Sequence, residues 1–246
     1  MKTFRLIAIY FFSGLFFTQL KANNGFVQKD TAINNELTPQ EKAEGWQLLF
    51  DGKTLHGWRT FKNKPGGWKA DDGKLCSFTS GSGNADLITD STYKNFELSI
   101  DWKISPEGNS GILYLVTEDY DQTFLSGPEY QLIDDDGFPE KIEEWQKTGA
   151  NYAMQPPSIK AANKPGEWNT TKIIVKNGKV EHWLNGREVV SYTLWNDEWK
   201  KEKTTGKWKD APGYGASDTG HIGLQSSHSN VESSGICFRN IKIKRL

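Results

Sequence analysis

Apolar and polar residues alternate strictly from Phe96 to Ile104. Phe96, Leu98, Ile100, Trp102 and Ile104 therefore share one face, and Glu97, Ser99, Asp101 and Lys103 share the other. A period of two marks a strand with one buried and one wet face. Shorter stretches of the same kind predict strands at Trp46–Phe50, Lys74–Phe78, Asp86–Thr89, Ser110–Val116, Tyr130–Ile133, Thr171–Lys176, Lys179–Leu184, Arg187–Tyr192, His221–Gln225 and Ile236–Ile243. Asn177-Gly178 and Asn185-Gly186 separate consecutive strands and supply the positive φ of a two-residue hairpin turn. Many short strands with Gly-rich turns favour an all-β sandwich over βαβ units. One short helix is expected, with Thr38 as N-cap, Pro39 at the first helical position and Glu41 closing a capping box. Segments 117–128, 134–170 and 193–219 show no period, and loops of this length in a compact domain are usually functional.

The N-terminus changes the expected location. Lys2 and Arg5 precede an apolar run from Leu6 to Phe17, and Leu20-Lys21-Ala22 ends in a small residue. Residues 1–22 read as a cleaved signal peptide, since the run is shorter than the ~20 apolar residues a spanning helix needs. Residues 23–44 form a tail with the short helix, and 45–246 a single domain. The mature protein is expected to be periplasmic or secreted, with no stable membrane insertion. A net charge of −1 offers no basic excess for nucleic acid. Aromatic residues make up 13% of the chain and include ten Trp. Some are expected to pack between sheets and others to lie under sugar rings, because each buried indole N–H needs a partner. Cys76 and Cys237 are the only cysteines. An exported protein can join them, and their spacing leaves a disulfide and two buried thiols both open.

Five ordered blocks resemble one family. They are Leu49-Phe50-Asp51-Gly52-Lys53-Thr54-Leu55-His56-Gly57-Trp58, Gly108-Asn109-Ser110-Gly111-Ile112, Glu129-Tyr130-Gln131-Leu132-Ile133-Asp134, Gly166-Glu167-Trp168-Asn169 with the hairpin ending in His182-Trp183-Leu184-Asn185-Gly186, and Gly223-Leu224-Gln225 through Phe238-Arg239-Asn240-Ile241. Together they resemble the 3-keto-disaccharide hydrolase family of the concanavalin A-like lectin/glucanase superfamily. The resemblance implies a jelly-roll sandwich of two antiparallel sheets with long loops, binding ligand on a concave face. It also implies cleavage of 3-keto-glycosides made by a separate sugar 3-dehydrogenase, with a divalent metal in some members. One departure is a longer loop after Leu224-Gln225, where His228 stands one position later than the family's His and the loop runs on through Ser234.

A ketone at C3 acidifies the C2 hydrogen, so a base, a group to stabilise the enolate oxygen and an acid for the leaving group would suffice. Glu129 and Gln131 share one strand face, and Asp101 and Lys103 share another. If the two strands are neighbours, these groups converge, with Lys103 near the developing oxyanion. Alternatively, Asp101 and Lys103 form an ordinary wet surface. His182 has the parity of Val180 and Leu184, which leaves it open as a base or as a satisfied core histidine. The catalytic candidates are Glu129, His182, Asp101 and Lys103. The substrate-binding candidates are Gln131, Asn109, Tyr130, Trp168, Gln225 and His228, although Tyr130 has the parity of the core face and Asn109 also suits a turn. A metal would draw on Glu129, Gln131 or His228, and no nucleotide cofactor is expected. The alternatives are a non-catalytic carbohydrate-binding sandwich and a conventional glycosidase. The latter would need a carboxyl pair such as Asp101 and Glu129, and the Glu-x-Asp-x-x-Glu strand motif of the laminarinase-like relatives is absent.

Overall fold

The computed structural model describes residues 34–78, 85–228 and 235–246. The proposed signal segment, the start of the tail and the end of the loop after His228 lie outside the described residues. The short helix α1 spans Pro39–Ala43, and Thr38 and Glu41 make both hydrogen bonds of the capping box.

Thirteen strands among the described residues form two antiparallel sheets. The larger holds β11 (Arg187–Thr193), β10 (Lys179–Leu184), β9 (Asn169–Lys176), β6 (Phe96–Ile104), β13 (Gly235–Arg245), β4 (Lys74–Phe78) and β3 (Trp68–Asp71) in that order, with β1 (Trp46–Leu48) also paired to β13. The smaller runs β2 (Trp58–Thr60), β5 (Leu87–Thr89), β12 (His221–Leu224), β7 (Asn109–Val116) and β8 (Glu129–Ile133). This is the expected sandwich. The alternation in β6 is realised in full, with every second residue buried. Asn177 and Asn185 take φ of 51° and 49°, as the two hairpin turns require.

The inward faces of the sheets make one large apolar core containing Phe96, Ile100, Trp102, Tyr130, Ile173 and Phe238. Trp58, Trp68 and Trp102 serve this packing and satisfy their N–H on backbone or side-chain acceptors, whereas the buried Trp199 N–H has no hydrogen-bond partner. Trp58 donates to the Leu49 carbonyl at 2.6 Å, Trp68 to that of Ala85 at 2.9 Å, and Trp102 to the Thr171 hydroxyl at 2.8 Å. A second, small cluster of Phe61, Ile88, Leu113 and Val116, with Phe124 against it, lies apart from the main core. In strand parity Ile88 and Leu113 oppose the core-facing Leu87 and Ile112, so this cluster covers the outer face of the five-stranded sheet.

Cys76 and Cys237 face each other across β4 and β13 and form a disulfide. The open question about the two thiols is thereby settled as a bridge.

Candidate functional site

The outer face of the five-stranded sheet carries a row of polar side chains. Gly111 on β7 pairs with Gln131 on β8, and the Gln225 N–H donates to the Gly111 carbonyl at 2.8 Å. Asp86, just before β5, continues the row beyond Gln225, because Leu87 pairs with Leu224. Glu129 lies one step along β8, opposite Leu113. Paired residues in adjacent strands point to the same side, so Asp86, Gln225, Gln131 and Glu129 project together.

A cavity of about 220 Å³ opens over this row, lined by Asn109, Glu129, Gln131, Gln225 and His228 from the sheet side and by Phe124, Tyr152, Lys207 and Trp208 from the loops. Five residues that the sequence singles out thus come together here: Glu129, Gln131, Asn109, Gln225 and His228. Asn109 is the first residue of β7, not a turn residue, and its carbonyl accepts from the His228 N–H at 2.8 Å.

The loop wall is held by aromatic stacking. Asn196 caps helix α2 (Asp197–Thr205) by accepting from the Trp199 N–H. Trp199 lies parallel to Tyr214 at 6.4 Å, and Tyr214 stacks on Trp208 at 4.2 Å. The Tyr214 hydroxyl donates to Asn151, and the Trp208 indole N–H to the Tyr152 carbonyl. Lys207 sits 4.2 Å from the Tyr152 ring centroid and donates to its hydroxyl at 3.1 Å. Lys207 also lies 5.0 Å from the Trp208 ring centroid, so two rings hold a cation in the lining of the cavity.

Electrostatics single out Glu129. Its carboxyl is buried and pushed up to about 8, chiefly by loss of water, then by the nearby Asp86, with Lys207 acting in the opposite direction. At neutral pH it is a protonated acid. Asp86 is also raised by burial, while hydrogen bonds from Thr123 and Ser226 and the proximity of His228 act to lower it. The Gln131 Oε1 atom is buried without a hydrogen-bond partner. An acceptor left unmade in a polar cavity is costly and awaits a donor such as a ligand hydroxyl.

Five other candidates lie elsewhere. Asp101 and Lys103 are on β6, whose neighbours are β9 and β13, so they occupy the outer face of the opposite sheet. There Asp101 accepts from Thr170 and Asn240, each at 2.7 Å, and Lys103 lies 5.2 Å from the Trp168 ring. Trp168 is covered on that face by Arg239 at 4.0 Å and does not reach the cavity. Convergence required adjacent strands, and the core separates them. Tyr130 points into the core, where its ring lies 4.7 Å from that of His182. His182 is fully buried on β10. Its Nδ1–H donates to the Gly149 carbonyl at 3.0 Å and its Nε2 accepts from Tyr114 at 2.9 Å, while burial holds the imidazole down to about 4. It is a satisfied neutral core histidine, not a base. Replacing His182 by Gln is expected to cost about 1–3 kcal/mol of stability and to lower kcat/KM less than tenfold. Removing a general base would cost about 10²–10⁴-fold. Thermal melts and steady-state kinetics on the one variant separate the two roles.

Sequence reasoning missed Asp86, Phe124, Tyr152, Lys207 and Trp208. Four of them sit in segments without period, where no pattern says which side chains turn inward. Among the described residues no group of three or more His, Cys, Asp or Glu converges, and the cation of Lys207 lines the cavity together with Glu129, Gln131 and His228, the residues a metal would draw on.

The model of the 3-keto-alpha-glucoside-1,2-lyase-like domain family matches residues 45–244. A 3-keto-disaccharide hydrolase of Bacteroides thetaiotaomicron VPI-5482 is 36% identical over 235 residues, which is 83% of this chain and 79% of that protein. Two solved structures from Parabacteroides distasonis ATCC 8503, each described as a candidate glycosyl hydrolase, are also similar. One is 45% identical with a TM-score of 0.80, over 87% of this chain and all of its own. The other is 27% identical with a TM-score of 0.62, over 82% of this chain and 99% of its own. The polar cavity on the five-stranded sheet and these relatives lead to one conclusion: the chain belongs to the 3-keto-alpha-glucoside-1,2-lyase-like family and is a carbohydrate-acting hydrolase that cleaves glycosides.

Proposed function

We propose that the substrate is a 3-keto-glycoside and that cleavage proceeds by elimination followed by hydration. The observation that carries this reading is the neutral, buried Glu129 carboxyl facing the same cavity as His228 and Lys207. A protonated carboxyl and an imidazole lining one cavity offer a proton donor and a proton acceptor to the same ligand. His228 takes the C2 proton, and Lys207 stabilises the negative charge that develops on the C3 oxygen. The C1–O bond breaks, and Glu129 protonates the departing oxygen. Water then adds across the C1–C2 double bond: the His228 proton returns to C2, hydroxide bonds to C1, and the remaining proton restores Glu129. The products are the free 3-keto sugar and the free alcohol. Ketone formation at C3 belongs to a separate sugar 3-dehydrogenase, since this cycle holds no hydride acceptor. The Gln131 Oε1 atom accepts from a ring hydroxyl, and Phe124 and Trp208 flank the sugar.

The Cys76–Cys237 disulfide supports an exported location, because such bonds persist in oxidising compartments. We place the mature protein in the periplasm or outside the cell.

Purified protein is to be incubated with a 3-keto-glucoside and with its unoxidised parent, each with and without chelator. Turnover of the keto compound alone, unaffected by chelator, is expected. Turnover of neither compound sinks the reading. Equal turnover of both points to a conventional glycosidase, and loss on chelation restores a metal.

A further inference from the structure

Asp86 has no part in the acid–base cycle just described, yet it lies buried beneath it, only 9% exposed. Its position is fixed by its own backbone, whose carbonyl accepts from the Phe61 N–H at 2.7 Å. The carboxylate then binds two separate walls of the cavity. One oxygen accepts from the Ser226 N–H at 2.9 Å, two residues before His228. The other accepts from the Thr123 hydroxyl, one residue before Phe124. A single side chain thus ties the segment that carries the imidazole to the segment that carries an aromatic wall.

Its charge matters as much as its bonds. The ionisable groups around it are Glu129 on β8, His228 after β12 and Lys207 from the loop across the cavity. Two neighbouring carboxyls with this little water do not both ionise. Asp86 has hydrogen bonds from Thr123 and from the backbone and side chain of Ser226 to stabilise its anion, whereas only burial, Asp86 and Lys207 act on the Glu129 carboxyl. The negative charge therefore rests on Asp86 and the proton on Glu129.

We propose that Asp86 is a positioning residue for glycoside cleavage, pinning the Phe124 and His228 walls and setting a fixed negative charge behind Glu129. This rests on the roles given above to Glu129 and His228. Asp86→Asn tests it, because the amide oxygen still accepts from Ser226 while the charge is gone. Carbon-13 NMR of glutamate-labelled protein follows the Glu129 carboxyl directly, with Glu129→Gln supplying the assignment. In Asp86→Asn the Glu129 titration is expected to move about one pH unit lower than in wild type. The alkaline limb of kcat/KM on a 3-keto-glucoside should move with it, a change that a purely structural role would not produce. Thr123→Val, which removes one donor and keeps the shape, should move both in the same direction by less. It provides the readout if Asp86→Asn does not fold. An unmoved Glu129 titration in the folded variants overturns the proposal. A titration that moves in a protein whose wild type turns over no 3-keto-glucoside overturns the proposed function instead and leaves the electrostatic role of Asp86 standing.

Discussion

Glu129→Gln is expected to lower kcat/KM on a 3-keto-glucoside by about 10²–10⁴-fold while KM changes little. The amide keeps the volume and hydrogen-bonding reach of the carboxyl but has no proton to give to the departing oxygen. Because the wild-type carboxyl titrates near 8, it is a donor at neutral pH, and activity should fall as pH rises through about 8. A base in the same place would give a rising limb there instead. The same substitution should stabilise the fold at alkaline pH. Glu129 has an ordinary value of 4.5 and a folded value of about 8, so folding holds a proton that the unfolded chain has released. The stability of the wild type therefore falls as pH rises from about 4.5 to about 8, by an amount on the order of 5 kcal/mol. Gln escapes that loss, so the variant should melt close to wild type at pH 5 and above it at pH 9. Steady-state kinetics with thermal melts at both pH values check the pair of effects. A rate within tenfold of wild type, or a variant no more stable at pH 9, removes Glu129 from its role as the acid. A residue that costs stability in order to act is a familiar cost of function.

The sandwich was legible because its signal is local. The alternation of β6 and the two Asn-Gly turns each determine their own backbone, and the structure follows them residue by residue. β2 and β3 are three and four residues long and no strand is predicted at either position, although the equally short β1, β5 and β12 are anticipated. Helix α2 did announce itself, through Asn196 as cap with Asp197 and Glu198 in its first turn. That signal stands inside segment 193–219, which shows no hydrophobic period. The site was half legible. Parity correctly paired Glu129 with Gln131 but could not say which sheet β6 would join. Strand order is a long-range property, and Asp101 and Lys103 meet Glu129 only if β6 and β8 are neighbours, whereas they lie in different sheets. The parity of His182 pointed to the core, and the core is where it lies. Lys207 and Trp208 reach the cavity through the stack of Trp199, Tyr214 and Trp208, a contact between segments for which sequence spacing holds no clue.

Gly111→Ala should cost about 10²-fold in kcat while leaving the protein folded. Gly111 sits within β7 directly opposite Gln131. Its φ is outside the left-handed region, so alanine suits the backbone. The conflict lies in the side chain: a Cβ there would be 2.3 Å from Glu129 Oε1 and 2.8 Å from both Cγ and Cδ. Each separation is far inside van der Waals contact, so the carboxyl must leave its seat over the strand. The space beside it is the cavity that Glu129 lines, so displacement into it brings the carboxyl toward water. A displacement on the order of 1 Å at a proton donor is worth about 10²-fold. The carboxyl also becomes better solvated, so the alkaline limb should shift to lower pH along with the loss of rate. The mechanism makes a further demand on the double variant. If Gly111 matters because it makes room for the Glu129 carboxyl, adding Gly111→Ala to Glu129→Gln should cost almost nothing more in kcat, because the acid is already gone. Additive losses in that cycle would mean that Gly111 acts through Gln131 or the strand pairing, and that the seat of Glu129 is not what the glycine preserves.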